Sequence, residues 1–353
     1  TAPDIFYVTG FLTRFWESPA RPWFVVVPSD GDPVAVIPAI GAGLMRATWL
    51  TDIRTWNAPD PEDDGVGLLA ETLRETVAEG GRIGLPMGRE THLRMPLSDY
   101  ASLAEAVAPR HFVDATDVLH RVREIKSEAE ISMIRETCAI AGRAFARLPH
   151  VVTPRQPLDD VFRTFQIMLL EEGADWVSYL AGGAGPGGYG DVISPADQRQ
   201  LAEGDILMLD TGAVRQGYFC DFDRNYAVGP PDDAARRAHA ALFAATEAAL
   251  AELRPGLRAC DAHAMLHDHI LGAGQQPLGG RLGHGLGLSL TEWPSLAERD
   301  ETPLREGMVL TLEPGVEVAP GRIMVHEENV VLRAGGCELL SPRAPEELPV
   351  IPA

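Results

Sequence analysis

Residues 204–229 of the chain read GDILMLDTGAVRQGYFCDFDRNYAVG. The apolar runs 206–213 and 217–228 predict two strands, and the polar residues between them predict a two-residue turn at Arg215-Gln216. In a hairpin with this register, Asp210 lies directly opposite Asp221. The segment therefore predicts an antiparallel strand pair in which two acidic residues face each other.

This facing pair of acids implies a compensating charge. Two carboxylates at cross-strand distance repel each other, and the run Ile206–Leu209 predicts apolar surroundings, in which an unpaired charge is costly. Asp223 projects on the same face as Asp221 by strand alternation. The pattern favours a cation among the three acids; the alternatives are a protonated carboxyl group or a hairpin whose acids point to solvent.

Three further residues extend this set. His284 stands between two glycines in LGHGLGL, and such small neighbours let a ligand or metal approach the backbone closely. Glu313 in TLEPG and Glu327 in HEENVV each lie in an apolar strand-like run. Each residue alone is typical of a structural or solvated position, but together with Asp210 and Asp221 they indicate a metal site.

Two other motifs could bind a ligand, but the sequence supports them less strongly. His263, His267 and His269 share one predicted helix, and an i, i+4 histidine pair can bind zinc. Ala264 stands where the zinc proteases carry a glutamate, which favours a solvated helix face. The Gly-rich stretch 181–190 lacks the Lys-Ser/Thr of a phosphate-binding loop, which favours a plain flexible loop.

Two domains are expected from the length of 353 residues. Residues 1–118 alternate short strands with amphipathic helices, which indicates an α/β (α+β) fold. A boundary is expected near Leu119, with the second domain at 119–353. Ser127 and Glu130 have capping-box spacing, which predicts a long helix. The other predicted elements are strands at 24–28, 34–37, 82–86, 206–213, 217–228, 308–318 and 323–332 and helices at 67–79, 158–172, 232–253 and 259–271.

The composition is that of a soluble globular protein, with 45% hydrophobic and 23% charged residues. A net charge of −21 repels phosphate backbones and argues against nucleic acid as a partner. No run approaches the roughly 18 apolar residues of a membrane helix, so no membrane partner is expected. The cysteines are few and lack metal or redox spacing, so we expect reduced thiols and a cytoplasmic location.

The chain resembles the pita-bread metallohydrolases, the family that includes prolidase, aminopeptidase P, methionine aminopeptidase and creatinase. YVTGF at 7–11 and the strands after it resemble the creatinase-type N-terminal domain, here expected to lack its first strand and helix. The resemblance also implies a catalytic domain of curved sheet wrapped by helices. It rests on Asp210, Asp221, His284, Glu313 and Glu327 in that order and on the motifs LDTGAVRQGYFCD, GHGLGL, LTLEPG, HEENVV and REIKSEAEI.

The resemblance implies a site for two divalent metal ions. Asp210 would bind one ion, His284 and Glu313 the other, and Asp221 and Glu327 would bridge them. Two divalent ions would balance the four carboxylates. Oxygen-rich ligation with one imidazole suits Mn, Fe, Co or Zn. Two ions about 3.5–4 Å apart can deprotonate a water and stabilise an oxyanion, with Glu313 moving the proton.

Several positions depart from the family pattern. Thr291 stands where the peptidases carry a histidine, and Trp293 follows in the same motif. The family histidine of the loop before the first metal strand is missing, and Asp191 lies nearest that place. Asp223 replaces a threonine after the second ligand. We assign Asp191, Thr291 and Trp293 to substrate binding, and Asp223 with Glu313 to catalysis.

Three functions are therefore considered. The motif set favours hydrolysis of an amide, as in an Xaa-Pro dipeptidase or aminopeptidase. The altered positions favour a small non-peptide metabolite, as in creatinase, ectoine hydrolase or dimethylsulfoniopropionate lyase, because a negative Asp223 beside the substrate would repel a free carboxylate. A non-catalytic binding module is the third, although such relatives lose the ligands that persist here. A homodimer is expected by analogy with creatinase and prolidase.

Overall fold

The computed structural model describes residues 1–18 and 21–352. The chain divides into two compact units, Thr1–Arg123 and Glu124–Ala353, so that the division falls slightly later than the expected boundary near Leu119. Within the described residues, no helix combines the length and the apolar character needed to cross a membrane.

The first unit consists of short strands and helices. Three-residue 3₁₀ helices occur at Phe15–Glu17 and Ala39–Gly41. The other elements in chain order are α1 (Ala2–Thr9), β1 (Phe24–Val26), β2 (Val34–Pro38), α2 (Ala42–Met45), β3 (Asp52–Trp56), α3 (Val66–Thr76), β4 (Arg82–Leu85), α4 (Leu97–Val107), β5 (His111–Asp114) and α5 (Thr116–Glu124).

The predicted N-terminal hairpin is present. Strands β1 and β2 pair antiparallel across the Ser29–Pro33 turn, with Val25 opposite Ala35. Strand β3 joins β2 in parallel, and β4 and β5 form a separate parallel pair. Leu69 and Leu73 of α3 share one apolar core with residues of β2 and β4, so both sheets are stabilised by the same helix layer.

A cavity of about 830 Å³ lies within the first unit. Every residue of β1 and every residue of β4 lines it. A strand that turned one face to a cavity would contribute alternate residues, so these two strands present their main-chain edges. Both are edge strands of their sheets in the described structure.

The second unit carries longer elements. A 3₁₀ helix occurs at Leu148–His150. The others are α6 (Glu128–Arg147), α7 (Leu158–Glu171), β6 (Trp176–Pro186), β7 (Asp205–Arg215), β8 (Tyr218–Phe219), β9 (Phe222–Val228), α8 (Asp233–Glu252), α9 (Ala259–Gly272), β10 (Gln276–Pro277), β11 (Gly283–Gly285), β12 (Glu292–Ser295), β13 (Val309–Leu312), β14 (Gly315–Ala319), β15 (Arg322–Val325), β16 (Glu328–Arg333), β17 (Gly336–Leu339) and β18 (Val350–Ile351).

Two five-stranded arrangements form the centre of this unit. Strands β18, β9, β7 and β6 make one sheet, to which β8 adds by pairing with β7, and β12, β11, β13, β16 and β17 make another. A smaller sheet contains β10, β14 and β15. Helices α6 and α7 pack on the first sheet through residues such as Phe145 and Phe165, whose ring centroids lie 4.6 Å apart. Helices α8 and α9 cover the second sheet through Ala249 and Leu266.

The predicted capping box begins α6. The Ser127 hydroxyl accepts from the Glu130 amide, and the Glu130 carboxylate accepts from the Ser127 amide at 2.8 Å. The Gly-rich stretch was expected to be a loop, but most of it belongs to β6, which pairs with β7 over its length. Glycines fit there because Gly182 packs against the backbone of Met208, where a Cβ would come within 2.2 Å of the Met208 carbonyl oxygen.

The register of the β7–β9 hairpin differs from the prediction. Gln216 and Gly217 form the turn, with φ of 50° and 86°, and positive φ at both central residues is the geometry that best matches strand twist. Arg215 therefore pairs with Tyr218, and Asp210 lies opposite Asp223 rather than Asp221. The predicted turn at Arg215-Gln216 was wrong because it left the glycine outside the turn.

Candidate metal centre

Five side chains from distant parts of the second unit converge at one place. Asp221, His284 and Glu313 each offer a ligand atom within 4.8 Å of one another, and Asp210, Asp221 and Glu327 do the same. Asp221 belongs to both groups. We call Asp210, Asp221, His284, Glu313 and Glu327 the five-residue cluster.

The two central sheets supply this cluster. Asp210 lies on β7 and Asp221 immediately before β9, while His284 lies on β11. Glu313 directly follows β13, and Glu327 directly precedes β16. Strands β11, β13 and β16 are neighbours, so ligands at their ends meet the acids of the β7–β9 hairpin.

Gly283 allows β11 to approach β13 closely. Its φ is 147°, and a Cβ there would come within 2.2 Å of the Thr311 carbonyl oxygen. Only glycine adopts this conformation at so short a distance without strain. The glycine before the histidine therefore sets the position of His284 opposite Thr311.

A side-chain amide holds Asp221 in place. The Asn329 Oδ1 atom accepts from the Asp221 main-chain N–H at 2.9 Å, and the Asn329 amide nitrogen donates to the Asp221 carbonyl oxygen. The Thr311 hydroxyl donates to the same carbonyl at 3.3 Å. Since Asp221 lies outside the strand, these contacts replace strand pairing and fix the shared carboxylate.

Asp223 is a buried support rather than an open substrate-facing group. Its side chain accepts from the Glu327 main-chain N–H at 2.6 Å and from the Asn225 amide at 2.7 Å. Burial raises the pKa of Asp223 to about 8. Asp223 thus differs from the open position beside the substrate that was expected, because one of its carboxylate oxygens is taken by the main chain of Glu327 and the other by Asn225.

Arg224 supports the same strand from the other side. Its guanidinium donates to the Glu327 carbonyl oxygen at 3.0 Å and to the Glu328 carboxylate at 3.1 Å. Although burial raises the pKa of Glu328, the Arg224 charge and hydrogen bonds lower it well below the usual range. This ion pair stays charged and anchors the residue next to Glu327.

Two carboxylate oxygens of the cluster lack a hydrogen-bond partner and so show whether a metal ion would fit. The Asp210 Oδ1 and Glu327 Oε2 atoms are buried and have no hydrogen-bond partner. Burial and the neighbouring carboxylates raise the pKa of both groups well above their usual values. Unsatisfied buried carboxylate oxygens are expensive, so the two oxygens and their negative charge fit a bound cation.

His284 lies between two carboxylates. Its Nε2 atom is 2.8 Å from Glu313 Oε1 and 3.3 Å from Asp221 Oδ2. Burial lowers the pKa of His284, but these carboxylates outweigh burial and raise it to about 10. The Nδ1 atom lies 2.8 Å from the Gly285 carbonyl oxygen, which fixes the ring and directs Nε2 into the cluster.

The three residues assigned to substrate binding have different surroundings. Thr291 directly precedes β12, on which Trp293 lies, and β12 pairs with β11, which carries His284. Both are therefore close to the cluster in the sheet. Asp191 is exposed, and its carboxylate accepts from the amides of Ile193 and Ser194 at 2.9 and 2.7 Å. It shapes its own loop.

Sequence reasoning missed several residues near the cluster. Tyr179 on β6 donates to the Val192 carbonyl oxygen at 3.1 Å, and burial and the nearby Asp210 charge raise its pKa. Arg281 donates to the Thr291 hydroxyl at 3.3 Å. Only the pairing of β6 with β7 brings Tyr179 near Asp210, so no local sequence signal marks it.

A buried ion pair fixes the segment after His284. The Lys126 Nζ atom lies 3.0 Å from Glu292 Oε2, and these side chains are 2% and 7% exposed. The other Glu292 oxygen accepts from the Leu288 and Ser289 amides at 2.9 and 3.1 Å. Glu292 thus shapes the turn that leads to Thr291.

The competing histidine set forms no comparable centre. His263 and His267 stack with ring centroids 6.0 Å apart, and His263 Nε2 lies 3.1 Å from the Gly280 carbonyl oxygen. Among the described residues, the groups with metal-binding spacing all come from the five-residue cluster. Two such groups with one carboxylate in common can hold a pair of cations.

The chain matches two family profiles. Residues 132–333 match metallopeptidase family M24, and residues 1–125 match the creatinase/prolidase N-terminal domain.

Curated relatives cover most of the chain. The probable dipeptidase PepE of Mycobacterium tuberculosis is 30% identical over 353 residues, covering 99% of this chain and 90% of that protein. The Xaa-Pro dipeptidase of Pyrococcus horikoshii is 28% identical over 249 residues, covering 69% of this chain and 70% of that protein.

Solved structures share the fold. The dipeptidase PepE from Mycobacterium ulcerans superposes with a TM-score of 0.84 at 29% identity, over 99% of this chain and 91% of that one. The prolidase from Thermococcus sibiricus gives a TM-score of 0.87 at 24% identity, over 98% and 92% of the two chains.

Proposed function

The chain belongs to metallopeptidase family M24, and from this premise we propose that it is a dinuclear Xaa-Pro dipeptidase. The family and the relatives make it a hydrolase of the peptidase class that binds divalent metal, with a creatinase-type N-terminal domain before a pita-bread catalytic domain. What we propose in addition is the number of metal ions, the residues that bind them and the substrate.

The observation that carries the proposal is the shared Asp221. Two groups of three potential ligands, each within 4.8 Å, overlap at this residue. The four carboxylates of the five-residue cluster carry a formal charge of −4, which two divalent ions balance. The unpartnered oxygens of Asp210 and Glu327 support the same assignment. Asp210, Asp221 and Glu327 would hold one ion, and Asp221, His284 and Glu313 the other; the bridging role of Glu327 that the resemblance implies stays a prediction.

When bound, such a pair of ions supplies Lewis-acid polarisation of a carbonyl group and lowers the pKa of a water molecule. The donor set of carboxylates and one imidazole suits Mn, Co, Fe or Zn. Asn329 and Asp223 keep the ligand-bearing backbone at Asp221 and Glu327 in position, so that little reorganisation accompanies the reaction.

In this proposal Glu313 moves the proton. Its side chain is 17% exposed, whereas that of Asp221 is 6% exposed, so it is the more open carboxylate of its group. Burial raises the pKa of Glu313, but His284 outweighs it and lowers the pKa when no ion is bound; with His284 bound to a divalent ion, the charge of that ion would keep the Glu313 carboxylate ionised. An ionised carboxylate at the open side can accept a proton from the attacking water and pass it to the leaving amine.

The Xaa-Pro class comes from the relatives named Xaa-Pro dipeptidase and is tested directly. The protein loaded with Mn, Co, Fe or Zn is assayed with Ala-Pro, Leu-Pro, Ala-Ala and the blocked peptide Ala-Pro-amide. We expect kcat/KM of about 10⁴ M⁻¹s⁻¹ or more for an Xaa-Pro dipeptide, the normal enzyme range. Turnover of creatine-like or ectoine-like compounds without any dipeptide cleavage would instead support the non-peptide alternative.

The assembly and the location belong to the same proposal. We propose a homodimer, which light scattering of the metal-loaded protein at working concentration tests, with a monomer mass as the opposing result. We also propose a cytoplasmic location, which fits the four cysteines, all free thiols in the structure. Fractionation of cells that express the natural gene would test it.

A further inference from the structure

Tyr189 is a fully buried residue that no step of the proposed reaction uses. It stands three residues after the end of β6. Its main-chain N–H donates to the Ile323 carbonyl oxygen at 3.2 Å, and the Ile323 N–H donates to the Tyr189 carbonyl oxygen at 2.8 Å. The side chain shares an apolar core with Met208 and Met324. Tyr189 is therefore fixed against β15 by its backbone and by its ring.

The Tyr189 hydroxyl has two hydrogen-bond partners, and they lie on different strands. It accepts from the Val325 main-chain N–H at 2.6 Å and donates to the Asn225 side-chain oxygen at 3.1 Å. Val325 is the last residue of β15, whereas Asn225 lies on β9. Both contacts are buried, and a buried hydroxyl that satisfies a donor and an acceptor at once holds the two groups in a fixed arrangement.

Asn225 extends this contact to the five-residue cluster. Its amide nitrogen donates to Asp223 Oδ2 and to the Val325 carbonyl oxygen, each at 2.7 Å. The other Asp223 oxygen accepts from the Glu327 main-chain N–H at 2.6 Å. A continuous chain of buried hydrogen bonds thus runs from the Tyr189 hydroxyl to the backbone of Glu327.

The backbone that carries Glu327 lies between two strands. Strand β15 ends at Val325 and β16 begins at Glu328, and side chains supply hydrogen bonds to the main chain of Val325 and Glu327. Removing one of these side-chain groups leaves a buried donor or acceptor unsatisfied, so the backbone must shift to recover a partner. Such a shift would displace the Glu327 carboxylate, which belongs to a potential ligand group.

We propose that Tyr189 is a positioning residue for the metal site, acting through Asn225 and Asp223 on Glu327. The inference rests on the proposed two-ion site, to which it adds a residue from outside the strands that carry the ligands. Loss of a residue that orients a ligand typically lowers metal affinity by about 10- to 100-fold. Metal affinity, which needs no turnover, is therefore the property that reports this role.

The test compares Tyr189→Phe with Tyr226→Phe and the unmodified protein, each as the full chain loaded with Mn. Tyr226 is the matched control: it is 4% exposed, and its hydroxyl donates to the Phe145 carbonyl oxygen at 2.9 Å. By strand alternation its side chain lies on the opposite face of β9 from Asp223 and Asn225. Both substitutions remove one buried hydroxyl group, so both should lower the midpoint of urea unfolding.

Only Tyr189→Phe should change metal binding. Competition with a fluorescent chelator measures the Mn affinity, and Tyr189→Phe should lower the affinity for at least one ion by about 10-fold. Tyr226→Phe should leave the affinity for every ion unchanged. A fall in Mn affinity that is confined to Tyr189→Phe separates a positioning role from a purely structural one.

A second variant tests the route through Asn225. Asn225→Leu removes the next group in the chain of hydrogen bonds and should also lower the Mn affinity by about 10-fold or more. If the two residues act through one chain, the double variant should bind Mn about as weakly as Asn225→Leu alone, whereas independent effects would add. Should Tyr189→Phe fail to fold, Asn225→Leu compared with Tyr226→Phe provides the same test.

The outcomes distinguish this inference from the proposed function. Weaker Mn binding in Tyr189→Phe supports the positioning role even if no dipeptide is cleaved. Equal Mn affinity in Tyr189→Phe, Tyr226→Phe and the unmodified protein would overturn that role while dipeptidase activity stands. Additive losses in the double variant would overturn the route through Asn225. An unmodified protein that binds no Mn would overturn both the inference and the proposed metal site.

Discussion

The side-chain amide of Asn329 forms two hydrogen bonds with the backbone of Asp221: its oxygen accepts from the Asp221 N–H at 2.9 Å, and its nitrogen donates to the Asp221 carbonyl oxygen. Asp221 is the carboxylate common to both potential ligand groups. The carboxylate common to both groups is therefore positioned by a fully buried residue. Supporting contacts of this kind usually matter to metal affinity almost as much as the ligands do.

Replacing Asn329 with leucine should lower metal affinity by about 10- to 100-fold, because both backbone contacts to Asp221 are lost while the shape is kept. Competition with a fluorescent chelator measures the affinity. Thr246→Val is a suitable control, since Thr246 is equally buried and bonds only to Leu242 of its own helix. Equal metal affinity in the two variants would show that Asn329 does not position Asp221.

Removing the shared ligand should cost more metal than removing a ligand of one ion. We expect Asp221→Ala to lose both ions and His284→Ala to retain part of the metal, because Asp221 belongs to both groups and His284 to one. Elemental analysis after gel filtration measures the metal content. The melting temperature should fall in the same order, since bound metal stabilises the folded state. Identical metal loss in both variants would contradict the shared role.

Lys126→Met should destabilise the second unit by about 3–5 kcal/mol, because it removes the cation that faces the buried Glu292 carboxylate. Urea unfolding followed by tryptophan fluorescence gives the difference. The matched surface variant Arg163→Met breaks an exposed pair and should cost at most about 1 kcal/mol. If Lys126→Met lowered the free energy of unfolding no more than Arg163→Met does, the Lys126–Glu292 pair would not constrain the turn before Thr291.

A buried histidine should make stability depend on pH. His239 is 3% exposed, its Nε2 atom lies 3.0 Å from the Pro345 carbonyl oxygen, and its Nδ1 atom has no partner. Burial lowers the pKa of His239 below its usual value of 6.5. The unfolded chain thus takes up a proton first as the pH falls, so stability decreases below about pH 6.5 and levels off once the folded pKa is passed.

His239→Gln keeps a donor for Pro345 and removes the titration. The difference between the urea midpoints at pH 8 and pH 5 should therefore be smaller in this variant than in the unmodified protein. His269→Gln, at an exposed position, is the control and should leave the difference unchanged. An unchanged pH dependence in His239→Gln would contradict the role of the buried ring.

Local chemistry explains which parts of the fold were predictable. The capping box of Ser127 and Glu130 is a contact between residues three apart, so it can be read directly. Acids in apolar strands are costly wherever the strands lie, so Asp210 and Glu327 stood out before their surroundings were known. The residues of the turn were harder to predict, because Gln216 adopts a positive φ that is uncommon for a residue with a side chain.

Contacts between distant elements explain the rest. Asp223 is acidic like Asp221 and lies two residues away. Its carboxylate accepts a hydrogen bond from the Glu327 main-chain N–H, and nothing near Asp223 in the sequence predicts this contact. Arg281 and Thr291 are ten residues apart and meet only because β11 and β12 pair. The acidic residues of the five-residue cluster could thus be predicted from their apolar surroundings, whereas the supporting residues depend on the strand arrangement.

The cavity in the first unit affects how the protein loses its native structure on heating. Its walls include the edge strands β1 and β4, and uncovered strand edges are templates for pairing with other chains. In the folded unit, the edges of β1 and β4 line the cavity instead of pairing with a further strand of the described structure. Heating that opens the unit makes these edges more accessible, and pairing between molecules then competes with reclosure. Thermal inactivation should consequently be irreversible and faster in concentrated solution, so that storage life is set by concentration as well as by temperature.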